Sequence, residues 1–341
     1  MREPIRRSYP LAAALLAALP AFLPARSEAA GEIYWFSLLT EDAATASDFY
    51  AGLFGWAIRP SPTGALMAVR DGVPFAGISQ IEDRIPNTSE AMWLAAITVA
   101  DLPKSVAAAK ALGGTVREDI KHLDGWGSFA LIQDPAGAPL SLVDPERASL
   151  GGTSGYSGWR WAELWTHDTD GATDFYKKVV GYDREDVPLG DEHYTVFSSA
   201  GKRDAGLIKL ELPEVASRWM PYVGVSDLRA ILVRVWQLKG RVLREPAELD
   251  FAAAGKNRVA LIADPTGGAM FLYQLDERAS ADPILVSQNA AAANAPRQIE
   301  STDNSGPNIN FSMSVNYGYG FGPSWGGMYP ALPYRGFGPV Y

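Results

Sequence analysis

WFSLLTEDAATASDFYAGLFGW at 35–56 returns as WAELWTHDTDGATDFYKKVVGY at 161–182, identical at nine of 22 positions and displaced by 126 residues. A period this long in a chain of 341 residues marks two copies of one domain, since solenoid repeats recur at much shorter spacing. Each copy opens on aromatic and branched residues, IYWFSLL at 33–39 and RWAELW at 160–165, which read as strands. Each strand runs into T-x-D, where Asp42 or Asp168 can accept from the free amides of a helix start. Behind the first of these, Ala46, Phe49, Tyr50 and Leu53 recur at helical spacing and leave one apolar face, and Gly55 and Gly181 end the two helices.

The second half of each copy begins in the same style. MWLAAITVADL at 92–102 matches WMPYVGVSDL at 219–228, with Trp93 and Trp219 again 126 apart. A helix led by Asp follows in each, ending near Gly113-Gly114 and near Gly240. FALIQDPAGAPLSLV at 129–143 and VALIADPTGGAMFLY at 259–273 then read as strand, D-P-x-G turn, strand, with Asp134 and Asp264 as turn formers. This order predicts an α+β fold of four β-α-β-β-β units, two in each domain. The domains fall at 31–147 and 159–276, joined by a Gly/Ser-rich linker at 148–158 short enough to keep them close.

The ends are different material. Arg2, Arg6 and Arg7 precede LAAALLAALPAFL at 11–23, and Ser27 and Ala29 follow, so residues 1–29 read as an export signal and the expected location is periplasmic or extracellular. The apolar run is too short to span a bilayer comfortably as a helix, and no other stretch resembles a membrane span. Without residues 1–29 the chain carries 26 basic against 37 acidic residues, a charge of −11, which disfavours nucleic acid and anionic membranes as partners. There are no cysteines, which excludes disulfides, thiol nucleophiles and lipid-modified cysteine. Residues 277–341 form a Gly/Tyr/Pro-rich extension that is expected to be partly disordered; its aromatic rings offer contacts to a protein or envelope partner. A small organic ligand is the other partner class that the composition leaves.

The paired landmarks, W-x-x-L-x-T-x-D, A-x-x-FY and the closing D-P-x-G, resemble those of the vicinal oxygen chelate superfamily. That superfamily includes glyoxalases, bleomycin-resistance proteins and extradiol dioxygenases. More closely, the chain is similar to tandem two-domain glyoxalase-like proteins over roughly 31–276. The resemblance implies a mixed sheet in each domain, curled around a cleft that usually holds a divalent metal. The three ligand positions carry over to Trp35, Leu94 (with Trp93 beside it) and Ser141 in the first domain, and to Trp161, Met220 (with Trp219 beside it) and Phe271 in the second. Indole, alkyl, thioether and phenyl groups are poor partners for such an ion, so no metal site and no cofactor are expected.

Glu163 is the informative departure. Strand alternation places it on the face of Trp161, where a carboxylate must be hydrogen-bonded or paired, or else change its pKa. It is the candidate catalytic base or ligand anchor, and it could equally answer an Arg, a backbone amide or water. Trp161, Met220, Phe271 and Tyr273 are the expected apolar wall beside it; His193, opening the strand-like HYTVF, is a further candidate contact. In the first domain the corresponding set is Trp35, Ser37, Leu94 and Ser141. His122 and His167 read as a loop and a corner residue. There is no G-x-S-x-G elbow and no phosphate loop. Three function classes remain: binding of a small, largely apolar molecule in the domain 2 cleft, a lyase, isomerase or dioxygenase-like enzyme using Glu163, and a non-catalytic interaction protein with filled clefts.

Overall fold

A computed structural model describes residues 30–61, 65–70, 72–81, 91–123, 126–145, 158–189, 192–251 and 255–274. The expected export signal, the linker up to residue 157 and the C-terminal extension lie outside the described residues. The first domain runs β1 (Ile33–Thr40), α1 (Ala43–Phe54), β2 (Ala57–Pro60), β3 (Leu66–Arg70) and β4 (Val73–Gln80). It continues with β5 (Met92–Thr98), α2 (Leu102–Ala111), β6 (Thr115–Leu123), β7 (Gly127–Gln133) and β8 (Pro139–Pro145). The second repeats the order with β9 (Trp159–Thr166), α3 (Thr169–Val179), β10 (Asp183–Leu189), β11 (Glu192–Ser199) and β12 (Lys202–Lys209). Its last unit is β13 (Arg218–Val225), α4 (Leu228–Gln237), β14 (Arg241–Phe251), β15 (Gly255–Ala263) and β16 (Ala269–Gln274).

The four helices start alike. Asp42, Asp101, Asp168 and Asp227 each accept the backbone N–H three residues on, at 2.9–3.0 Å, satisfying an amide that has no partner inside the helix. Gly55 caps α1 in the left-handed region at φ 72°. After α4 that conformation falls on Lys239 at φ 64°, one residue before the expected Gly240.

Each domain is one eight-stranded mixed sheet, in the order β2-β3-β4-β1-β5-β8-β7-β6 and β10-β11-β12-β9-β13-β16-β15-β14. The central strands β1 and β5 are antiparallel, flanked by parallel β4 and β8, and β9 and β13 sit likewise between β12 and β16. The expectation of a sheet curled around a cleft is corrected here. The sheets are open: hydrogen bonding passes from one outer strand to the other, and β2 does not pair with β6, nor β10 with β14, among the described residues. A continuous ladder between the edges is what closure would require.

Strand alternation gives each sheet two apolar faces. Phe36 and Leu38, and in the repeat Ala162 and Leu164, point to the helices and enter one core shared by both domains. Across that core α2 packs on α3, and α1 on α4. The tyrosine of each FY helix reaches the turn aspartate of the other domain: Tyr50 donates its hydroxyl to Asp264 at 2.7 Å, and Tyr176 donates to Asp134 at 3.2 Å. Each aspartate also holds its own D-P-x-G turn, Asp134 taking the Ala138 N–H and Asp264 those of Thr266 and Gly268. Trp159, the first residue of β9, inserts among Phe36, Trp56, Phe75 and Trp93 of the first domain and donates its indole N–H to the Phe75 carbonyl at 3.0 Å.

Burial pushes the Asp134 carboxyl up to about 6 from 3.8, against the pull of its hydrogen bonds from Ala138 and Tyr176. Below pH 3.8 the group is protonated in both folded and unfolded chains. Between 3.8 and about 6 the folded chain keeps a proton that the unfolded chain has lost, so stability falls as pH rises through that window. The expected loss from this group is roughly 3 kcal/mol, and Asp134→Asn should remove that component. Urea denaturation of both proteins at steps from pH 4 to 7 reads the difference; parallel stability profiles would show that Asp134 does not titrate in this way.

Candidate functional site

The face of the second sheet turned away from the helices carries the site. Glu163 lies mid-strand in β9, opposite Met220 of β13 and Gly206 of β12, and is 2% exposed. Alternation along β9 puts Trp161 and Trp165 on its face, and cross-strand pairing sets Tyr222 against Trp161 and Phe271 against Tyr222. Trp165 donates its indole N–H to Glu163 Oε2 at 3.1 Å, and Tyr222 donates its hydroxyl to the same oxygen at 2.6 Å. Tyr194 donates to Oε1 at 2.8 Å and accepts the Trp161 indole N–H at 2.9 Å. Behind these groups Tyr222 and Phe271 stack at 4.4 Å, and Trp165 tilts onto Phe271 at 5.6 Å. Gly206 makes the approach possible: a Cβ there would fall 1.7 Å from the Tyr194 hydroxyl and 2.9 Å from Glu163 Cγ.

Burial pushes the Glu163 carboxyl above the usual range, and the bonds from Tyr222, Trp165 and Tyr194 pull it back down. Burial, reinforced by the charge of Glu163, holds both phenols well above 10, so they remain hydrogen-bond donors at neutral pH. The arrangement is therefore a carboxylate served by neutral donors inside an aromatic wall. Trp165, Tyr222 and Phe271 are buried, so of that wall only half-buried Trp161 is open to a guest; the carboxylate oxygens already accept three hydrogen bonds.

The structure brings Trp161, Glu163, Met220, Phe271 and Tyr273 onto one face. His193 is exposed and precedes Tyr194, so alternation sends its imidazole to the opposite side of β11. His167 sets its ring nitrogens against the carbonyls of Leu210 and Val215, at 3.0 and 2.8 Å, and His122 faces the Ser128 hydroxyl at 3.2 Å. In the first domain Trp35, Ser37, Leu94 and Ser141 also share a face, with Ser37 opposite Leu94. There Trp35 donates to Ser37 Oγ at 2.8 Å and meets Trp126 edge-on at 5.8 Å, while Ser141 donates to the Ala130 carbonyl at 3.4 Å. Ala96 and Leu39 stand where the second domain has Tyr222 and Trp165.

Neither face suits the metal that the superfamily usually holds. Of the six transferred positions only Ser141 carries an oxygen, and that hydroxyl is engaged with the backbone. Among the described residues, no three His, Cys, Asp or Glu gather as a ligand set.

Comparison with known proteins agrees with this architecture. The family described as "Glyoxalase-like domain" matches residues 35–143. CFP32 of Mycobacterium tuberculosis is 30% identical over 255 residues, covering 72% of this chain and 95% of that protein. The anthracycline biosynthesis protein DnrV of Streptomyces peucetius is 28% identical over 268 residues, covering 73% and 95%. The chain belongs to the vicinal oxygen chelate, or glyoxalase–dioxygenase, superfamily, with its domain repeated in tandem. Among solved structures, the 2,3-dioxygenase LapB of Pseudomonas sp. KL28 superposes with a TM-score of 0.51 at 14% identity, covering 73% of this chain and 94% of that one. An extradiol ring-cleaving dioxygenase from B. fuscum gives 0.52 at 15% identity, covering 77% of each. At such identities the two structures speak for the fold alone.

Sequence reasoning missed Trp165, Tyr194, Tyr222 and Gly206. Period two from Glu163 points to Trp165, and from Met220 to Tyr222, so two of the three donors had a usable signal. Tyr194 had none, because it arrives from β11 across β12. A hydrogen bond to a charged group contributes about 1.5–3 kcal/mol, so Tyr222→Phe should destabilise the fold by that amount. Ser141→Ala, which removes a long bond between neutral groups, should cost about 0.5 kcal/mol, the low end for a neutral hydrogen bond. Urea denaturation compares them; equal costs would show that the Tyr222 hydroxyl adds no more than a weak neutral hydrogen bond.

Proposed function

We propose that this chain is an exported glyoxalase-like protein that binds a small, largely apolar organic molecule on the helix-free face of domain 2, without the metal site common in its superfamily. The observation that carries the reading is the asymmetry of two equivalent faces. Domain 2 sets a buried carboxylate and its directed donors in a wall of Trp161, Trp165, Tyr222 and Phe271, whereas domain 1 keeps Trp35 but has Ser37, Leu39, Ala96 and Ser141 at the other matching positions. A few fixed polar groups in apolar surroundings are what orient a small guest. The names of two relatives fit small organic molecules without separating binding from catalysis: CFP32 is named, provisionally, as a glyoxylase, and DnrV is named for anthracycline biosynthesis. Export rests on the basic start and the apolar run at 11–23.

One observation favours a second, catalytic reading. Burial raises the pKa of Glu163, as suits a general base in a lyase or isomerase step. The three donors already on its oxygens favour binding over that role.

N-phenyl-1-naphthylamine, a neutral apolar fluorophore, tests the binding reading by titration. Glu163→Ala leaves three buried donors without an acceptor and lets the wall repack, and should weaken probe binding roughly 5- to 150-fold, as for the loss of about 1–3 kcal/mol. Ser37→Ala should change it little. Absence of probe binding, or equal effects of the two substitutions, would remove domain 2 as the binding face.

A further inference from the structure

Glu163 is a buried carboxyl group bonded only to neutral donors. The hydrogen bonds on its oxygens serve the ionised form, against burial, which favours the neutral acid. The indoles of Trp165 and Trp161 can only donate, and Tyr194, whose oxygen takes the Trp161 proton, gives its own to Oε1. All three groups bonded to the carboxylate are uncharged. Among the described residues Glu163 forms no ion pair with Lys, Arg or His, and the charge of Arg244 of β14 reaches the Tyr222 hydroxyl. Buried ions are ordinarily paired, because neutral donors only partly replace the lost water.

The same cluster has an apolar rim of half-buried residues, Trp161, Val187 and Leu212. Trp161 turns its N–H inward to Tyr194, so a single phenol joins its ring to the carboxylate. An indole face attracts cations through its quadrupole, and a carboxylate in low-dielectric surroundings adds its field. An anion would meet repulsion there, and a neutral molecule would gain neither attraction. The first domain offers no such pairing, since Trp35 is 1% exposed and donates to an uncharged Ser37.

We propose that the domain 2 face selects an organic cation: an ammonium or quaternary ammonium group on a small apolar or aromatic body, seated at the Trp161 indole within the field of Glu163. This inference rests on the reading of that face as a binding site and adds the charge of the ligand. The test titrates the full chain with benzyltrimethylammonium and with its uncharged carbon isostere neopentylbenzene, followed by ligand-observed magnetic resonance. The cation should bind about tenfold more tightly or better. Glu163→Gln and Trp161→Leu should each remove most of that margin, and Ser37→Ala should leave it unchanged. Since Gln would place a donor among donors, circular dichroism checks that the variant folds, and the ratio measured on the unaltered protein decides even when no variant does. Equal binding of the two, or a preference for the isostere, overturns the charge selection; if N-phenyl-1-naphthylamine still binds, the binding face itself stands. Failure of all three probes to bind removes both.

Discussion

Two crossed hydrogen bonds fasten this protein together. Tyr50 of the first domain closes on Asp264 of the second, and Tyr176 of the second closes on Asp134 of the first. Each aspartate already holds a tight turn between the last two strands of its own domain, so the contact ties the FY helix of one repeat to the sheet of the other. A buried carboxylate needs donors on both oxygens, and in each pair the turn serves Oδ1 while the tyrosine of the other domain serves Oδ2. The helical face of each sheet is thereby committed to the shared core, and the outward faces are left as the surfaces on which the two domains differ.

On those faces, equivalent positions have taken different chemistry. Trp35 and Ser37 form a self-contained pair in domain 1, with Gly77 kept free of a side chain beside them. In domain 2 the serine is replaced by Glu163, and the added charge needs Trp165, Tyr194 and Tyr222 around it, with Gly206 as the gap that admits the tyrosine. One change of residue type thus requires a set of companions, because a lone buried carboxylate would cost several kcal/mol. The superfamily's metal chemistry is not available from either set of residues: side chains that would hold an ion are replaced by rings, a thioether, an alkyl group and one occupied hydroxyl.

Much of the fold was legible in the sequence, for identifiable reasons. The repeat displaced by 126 residues announces two domains, the Asp before each helix announces its cap, and D-P-x-G announces the turns. These are local signals, set by backbone geometry and side-chain reach over a few residues. Strand alternation also placed Glu163 with Trp161, because a period of two needs no knowledge of neighbouring strands.

What the sequence by itself determined is therefore the repeat, the unit order, the caps and turns, and the face on which each strand residue lies. The tertiary structure alone decided that the sheets stay open, since closure depends on whether distant edge strands meet. It also decided that the turn aspartates of one domain receive tyrosines of the other, and that Glu163 is answered by phenols and an indole rather than by arginine. The two phenols come from strands 31 and 59 residues away along the chain. Nothing in a linear pattern measures such approaches, because they are fixed by sheet order and register, which arise only when the whole domain packs.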